Sequence, residues 1–173
     1  KELVVDELGG TARDASLFFS IEMAAYIVFA PLWGLLSDHL GRRKPLVVAG
    51  FLLTAPAYAG YALVDDVDAL LLLRFFQGAF AVMGWSTLMA MVLDQPDERR
   101  RGRSAGLMGA ALILGVSLGA PIGGYITRHL GARAPLAVAA LLFLLSGLGS
   151  LALQESPSER QQATLGEILA TLR

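Results

Sequence analysis

An all-α membrane protein is the fold class this sequence predicts, and three observations predict it. Hydrophobic residues make up 55% of the 173 and charged residues only 17%, with a mean hydropathy of +0.58, too apolar for an ordinary soluble domain. Five apolar runs are each long enough for a helix to cross a hydrocarbon core, which takes about 20 residues. Finally, one short charged turn recurs 90 residues further on, and the pattern of loop charge puts its two copies on opposite faces of the membrane.

The spans follow in order at about 15–37, 45–64, 69–93, 104–127 and 134–153. Pro45 and Pro135 open their runs, where the missing N–H had no helical partner in any case. Pro31, Pro56 and Pro121 lie inside runs and are expected to kink them, a feature that suits membrane helices better than a soluble bundle. The connections hold three Lys or Arg in 38–44 and four in 94–103, against none in 65–68 and two in 128–133. Cationic loops face the cytoplasm, so the first, third and fifth spans run inward and residues 1–14 form an external loop. The tail after Leu153 is then cytoplasmic. In it, "TLGEILATLR" carries Thr164 and Glu167 as a capping box and Leu165, Ile168, Leu169 and Leu172 at helical spacing. Residues 154–173 therefore read as the start of a cytoplasmic central linker with an amphipathic helix.

Several function classes drop out on composition. A net charge of −1, with cations clustered in loops, argues against a nucleic-acid partner. The sequence holds no cysteine and only two isolated histidines, His39 and His129, so it offers no metal-ligand spacing and no cysteine nucleophile. Neither a nucleophile with its base nor a phosphate-binding loop stands out. The expectation is a non-enzyme without cofactor or metal.

The recurring turn is "GLLSDHLGRRKPL", 34–46, and "GYITRHLGARAPL", 124–136. Gly34, His39, Leu40, Gly41, Arg43, Pro45 and Leu46 return as Gly124, His129, Leu130, Gly131, Arg133, Pro135 and Leu136. Opposite faces for the two copies are the signature of inverted repeats of three helices each. Shifted back by 90, the third span falls before residue 1. Residues 1–153 thus read as a six-helix half, built 3+3, that lacks its first helix. Asp38, Arg42 and Lys44 become Arg128, Ala132 and Ala134, so the acid and these cations mark the cytoplasmic copy alone.

These residues resemble the major facilitator superfamily, secondary transporters of twelve or fourteen helices made from two such halves. Gly34-x-Leu36-Ser37-Asp38-x-x-Gly41-Arg42-Arg43 is similar to its signature between the second and third helices, with His39 where the family more often has Arg or Lys. "LLLRFFQGAF", with Arg74 and Gly78, is similar to its fourth-helix motif. Gly106, Gly115, Gly119, Gly123 and Gly124 keep the glycine spacing of the fifth-helix motif of its antiporters, with Pro121 one position later than the family's proline. The resemblance covers essentially the whole chain. It implies a twelve-helix parent, with the first helix and the C-terminal half as partners of this chain, in the plasma (inner) membrane; twelve Arg against two Lys, with abundant Ala and Gly, point to a GC-rich bacterium.

On this resemblance Asp38 is part of a cytoplasmic latch between halves, together with Gly34, Gly41, Arg42, Arg43 and Asp94. Arg43 and Lys44 also read as plain topology signals. Glu22 and Arg74 fall inside spans, where an Arg costs roughly 2.5–3.5 kcal/mol to insert and so faces a partner or water. Both lie on the order of 10 Å below the external surface on helices running the same way. They read as a proton-responsive pair, as a static ion pair, or as two separate groups, with Glu22 near the lipid headgroups and Arg74 snorkelling. Gly115, Gly119 and Gly123 form a smooth stripe for close helix packing, and Trp85 and Met89 are candidates to line a greasy cavity. The function expected is proton-coupled efflux of a small amphipathic organic compound by alternating access. Proton-coupled uptake of a metabolite or sugar and a non-transporting membrane scaffold are the alternatives.

Overall fold

The computed structural model describes residues 2–154. The expected amphipathic helix of the tail lies outside the described residues. A π-helical turn, Glu2–Glu7, precedes five α-helices: α1 (Ala12–Leu40), α2 (Lys44–Gly60), α3 (Val67–Leu93), α4 (Glu98–Leu130) and α5 (Ala134–Ser150). No strand occurs among the described residues.

With 29, 27 and 33 residues, α1, α3 and α4 are about 44, 40 and 50 Å long, more than a bilayer core requires. Each of α2 and α5 has 17, the lower limit for a span, and ends before its apolar run does. The reason is local. Past Gly60 and Ser150 the backbone tightens into three-residue turns, with Leu63 N–H donating to Gly60 C=O at 2.9 Å and Leu153 N–H to Ser150 C=O at 3.1 Å.

Two helices begin earlier than hydrophobicity alone suggests, because capping carboxylates extend them. Thr11 and Asp14 satisfy each other's backbone N–H groups at the start of α1, in a reciprocal box. Asp97 Oδ1 accepts from the Arg99 N–H at 2.9 Å, so the arginines expected in a loop occupy the first turns of α4. Residues 2–7 are likewise not a plain loop. Their π turn buries Leu3 and Val4 against Tyr61 and Leu70. Helices α1, α2 and α4 run unbroken through Pro31, Pro56 and Pro121.

Packing is centred on α3, which lies between α1 and α2, while α2 also packs on α5. The closest crossings occur where glycines remove a side chain. A Cβ built at Gly50 on α2 stands 2.3 Å from the Gly84 nitrogen of α3, and one at Gly78 stands 3.1 Å from the Ala25 Cβ of α1. By contrast, α4 touches α3 and α5 only at its margins, and none of its residues is buried. The stripe Gly115, Gly119, Gly123, with Gly106 and Gly124, meets nothing within 4 Å. The close helix approach expected of it is made instead by Gly50, Gly78 and Gly84.

The two copies of the repeated turn lie at opposite ends of the bundle and close with the same hydrogen bond, although the chain leaves Gly41 and Gly131 with different ψ, 17° and 164°. Gly41 and Gly131 have φ of +62° and +90°, which favours glycine, and each N–H donates to a carbonyl four residues back, Ser37 and Thr127, at 3.0 Å. Arg43 and Arg133 then cap α2 and α5, with proline in the first turn of both.

Candidate functional site

Two polar assemblies stand out, one between the helices and one at the cation-rich end. The first is built where Gly78 lets α3 approach α1 at Glu22, its virtual Cβ lying 3.3 Å from the Glu22 carbonyl. Nη2 of Arg74 forms an ion pair with Glu22 Oε2, and the two side chains are only 8% and 12% exposed. Nη1 of Arg74 donates to Gln77 Oε1 at 2.7 Å, and Nε donates to the Phe18 carbonyl at 3.2 Å. Below the guanidinium lies the Phe18 ring, its centroid 4.2 Å from Cζ. Glu22 Oε1 accepts from Gln77 Nε2 and from the Tyr26 hydroxyl, both at 3.5 Å. Tyr61, fully buried at the end of α2, donates its hydroxyl to Gln77 Oε1 at 3.2 Å.

Glu22 and Arg74 therefore meet, one of the arrangements their depths allow. What the sequence reading missed is the supporting set of Gln77, Tyr26, Tyr61 and Phe18. Gln77 was legible in principle, since it lies three residues after Arg74 on the same helical face. Tyr61 was not, because a residue at the end of α2 reaches Gln77 only through the α2–α3 crossing. The arrangement has a chemical consequence. When the ion pair opens, Arg74 keeps Gln77, the Phe18 carbonyl and a ring face, and Glu22 keeps Tyr26 and Gln77, so neither is stranded without a partner.

At the cation-rich end, Arg43 joins three helix ends. It lies 2.7 Å from Asp94 at the end of α3 and 3.3 Å from Asp38 near the end of α1, and itself caps α2. Asp38 is 68% exposed, so one side of this carboxylate faces outward from the bundle. Arg42 is exposed and forms no ion pair among the described residues, so Arg43 is the arginine that holds the two acids. A Cβ at Gly34 meets nothing within 4 Å. Trp85 and Met89 are half-buried, one turn apart on α3. No group of His, Cys, Asp or Glu among the described residues has the arrangement of a metal site.

The opposite end carries a matching clamp. Arg133 lies 3.1 Å from Glu7 and 3.0 Å from Asp65, and donates to the Ala62 carbonyl at 2.7 Å. Asp65 first and Glu7 second hold its guanidinium pKa above the usual arginine value. Each repeated arginine thus ties together chain segments far apart in sequence, at opposite ends of one bundle.

Long apolar helices around a buried ion pair mark an integral membrane protein. Residues 2–171 match the family model of the Major Facilitator Superfamily, and the chain belongs to that family. It is 30% identical over 131 residues to the multi-drug resistance efflux pump PmrA of Streptococcus pneumoniae, covering 75% of this chain and 32% of that one. The PmrA homolog of Lactococcus lactis is 31% identical over 148 residues, covering 82% and 36%. With the synaptic vesicular amine transporter of Homo sapiens the identity is 27% over 157 residues, covering 90% and 30%. The chain spans about a third of the length of these relatives.

Proposed function

We propose that this chain is the N-terminal half of a proton-coupled exporter, exchanging an inward proton for a small amphipathic organic molecule by alternating access. The observation that carries the proposal is the buried Glu22–Arg74 pair with its neutral fallback partners. A proton arriving on Glu22 neutralises the carboxylate and releases Arg74 to Gln77 and the Phe18 carbonyl. Its departure restores the pair. Protonation of Glu22 thus selects between a closed and an open arrangement, which is what a coupling element needs. The names of the relatives as multi-drug efflux pumps support export, and the greasy interior supports an amphipathic cargo.

The rest of the transporter follows from the repeat. α3 packs against α1 and α2. Under inverted symmetry a first helix stands to α4 and α5 as α3 stands to α1 and α2. The open glycine stripe of α4 is the face it would cover. The C-terminal half then meets the exposed side of Asp38, which acts as a latch that favours the outward-facing state.

Transport by the full-length protein in inverted membrane vesicles tests the reading. With an imposed proton gradient, substrate should accumulate as protons leave. Movement of both in one direction would instead establish uptake by symport, and no substrate-dependent proton flux would leave a scaffold. Asp38→Asn should cut transport at least about tenfold at unchanged membrane insertion, since it removes one charge from a partly exposed site. Wild-type turnover at matched expression would end the latch.

A further inference from the structure

We propose that the groove between the start of α2 and the end of α5 binds one anionic phospholipid of the adjoining leaflet, its phosphate on Arg42 and Lys44. The groove has a volume of about 510 Å³, and its lining includes Arg42, Lys44, Val48, Ala49, Leu52 and Leu151. Its mouth is cationic and its floor apolar, the complement of a phosphate joined to an acyl chain. From Lys44 to Leu52 the helix rises about 12 Å, so the floor runs from the interface into the hydrocarbon region.

The repeat within this chain supplies the control. At the other end Ala132 and Ala134 stand where Arg42 and Lys44 stand here. Yet the turn around Gly131 closes with the same hydrogen bond, and Arg133 clamps two carboxylates as Arg43 does. The clamp at the other end is thus made with alanine at both positions. Topology signalling alone asks only for charge somewhere in the loop, whereas these two residues line a single groove. The nearby acids, Asp38 and Asp94, are engaged by Arg43, which stands between the two cations in sequence but turns into the bundle.

The proposal rests on the orientation that puts this end in the cytoplasm, where anionic lipid is enriched. Labelling of Arg99→Cys, in the full-length protein with any cysteine outside this cysteine-free chain replaced, from either side of sealed vesicles checks the orientation separately. Outside labelling would end that reading without touching lipid retention in detergent. Native mass spectrometry of the full-length protein, titrated with phosphatidylglycerol, reads the site itself. Arg42→Ala with Lys44→Ala should weaken retention on the order of tenfold. Ala49→Leu, which fills the groove without changing charge, should weaken it too, while Arg99→Ala with Arg100→Ala should leave it unchanged. Glycerol phosphate, the head without the chains, should not compete. Equal weakening by both arginine-containing double variants, or no effect of Ala49→Leu, overturns the site in favour of a general cationic surface. Competition by glycerol phosphate overturns it in favour of a phosphate-only site.

Discussion

Arg74→Ala should lower stability by about 3–5 kcal/mol, the cost of leaving one member of a buried ion pair uncompensated. Thermal unfolding of the full-length protein in detergent should show a fall on the order of 10 °C. The carboxylate left behind, Glu22, is only 12% exposed, and its remaining partners at 3.5 Å, Tyr26 and Gln77, are neutral. Adding Glu22→Gln to Arg74→Ala should recover most of the stability, because the stranded charge is gone, but not transport. Glu22→Gln alone has a different signature. Arg74 keeps Gln77, the Phe18 carbonyl and the Phe18 ring, so the protein stays folded while the dependence of transport on the proton gradient is lost. Full gradient-driven transport by Glu22→Gln would remove Glu22 from the proton path and leave the pair as structure only.

Gly50→Ala should be the most damaging single methyl in the described chain. The new Cβ would lie 2.3 Å from the Gly84 nitrogen and 2.6 Å from its Cα, and backbone atoms cannot rotate aside. The α2–α3 crossing must then open, at a cost of about 3 kcal/mol, the upper end of the usual overpacking range. A graded series checks the cause. Gly84→Ala meets the Phe51 ring at 2.8 Å, which can swing only partly, so it should be milder. At Gly147 the clash is with the tip of Leu52 at 2.5 Å, a flexible side chain that can change rotamer. Gly119→Ala meets nothing within 4 Å and should be neutral in this chain, or slightly stabilising through helix propensity. In the full-length protein Gly119→Leu should be harmful if a first helix covers α4, and tolerated if none does. Equal losses at Gly50 and Gly119 would show that backbone proximity does not set the cost.

Much of the site was readable from the sequence, for reasons that differ residue by residue. Arg74 and Glu22 stood out because charge inside an apolar run is expensive and has to be matched, and similar depth on two helices of like direction allowed them to pair without requiring it. Arg43 was harder. The sequence marks it as part of a repeated turn, and Arg42 beside it appears equally able to hold Asp38. Which arginine turns inward depends on the azimuth of α2 against α3, and that is set at the Gly50–Gly84 crossing. The glycines show the same limit. Spacing four apart on α4 advertises a packing face but does not say what packs there, whereas the isolated Gly50 and Gly84 carry no periodic signal and make the tightest contact.

By itself, then, the sequence determined the membrane class, the order of the apolar helices, the repeated turn and the two charged residues, Glu22 and Arg74, that lie within those helices. These follow from hydropathy, helix geometry and the cost of unmatched charge, all of which act along one chain segment or between segments of known depth. Only the tertiary structure decided which arginine bridges Asp38 and Asp94, that Gln77 and Tyr61 support Arg74, and that Gly50 and Gly84 make the tightest crossing. Those outcomes depend on how helices rotate about their own axes when they pack, and in a uniformly apolar chain no hydrophobic stripe records that rotation.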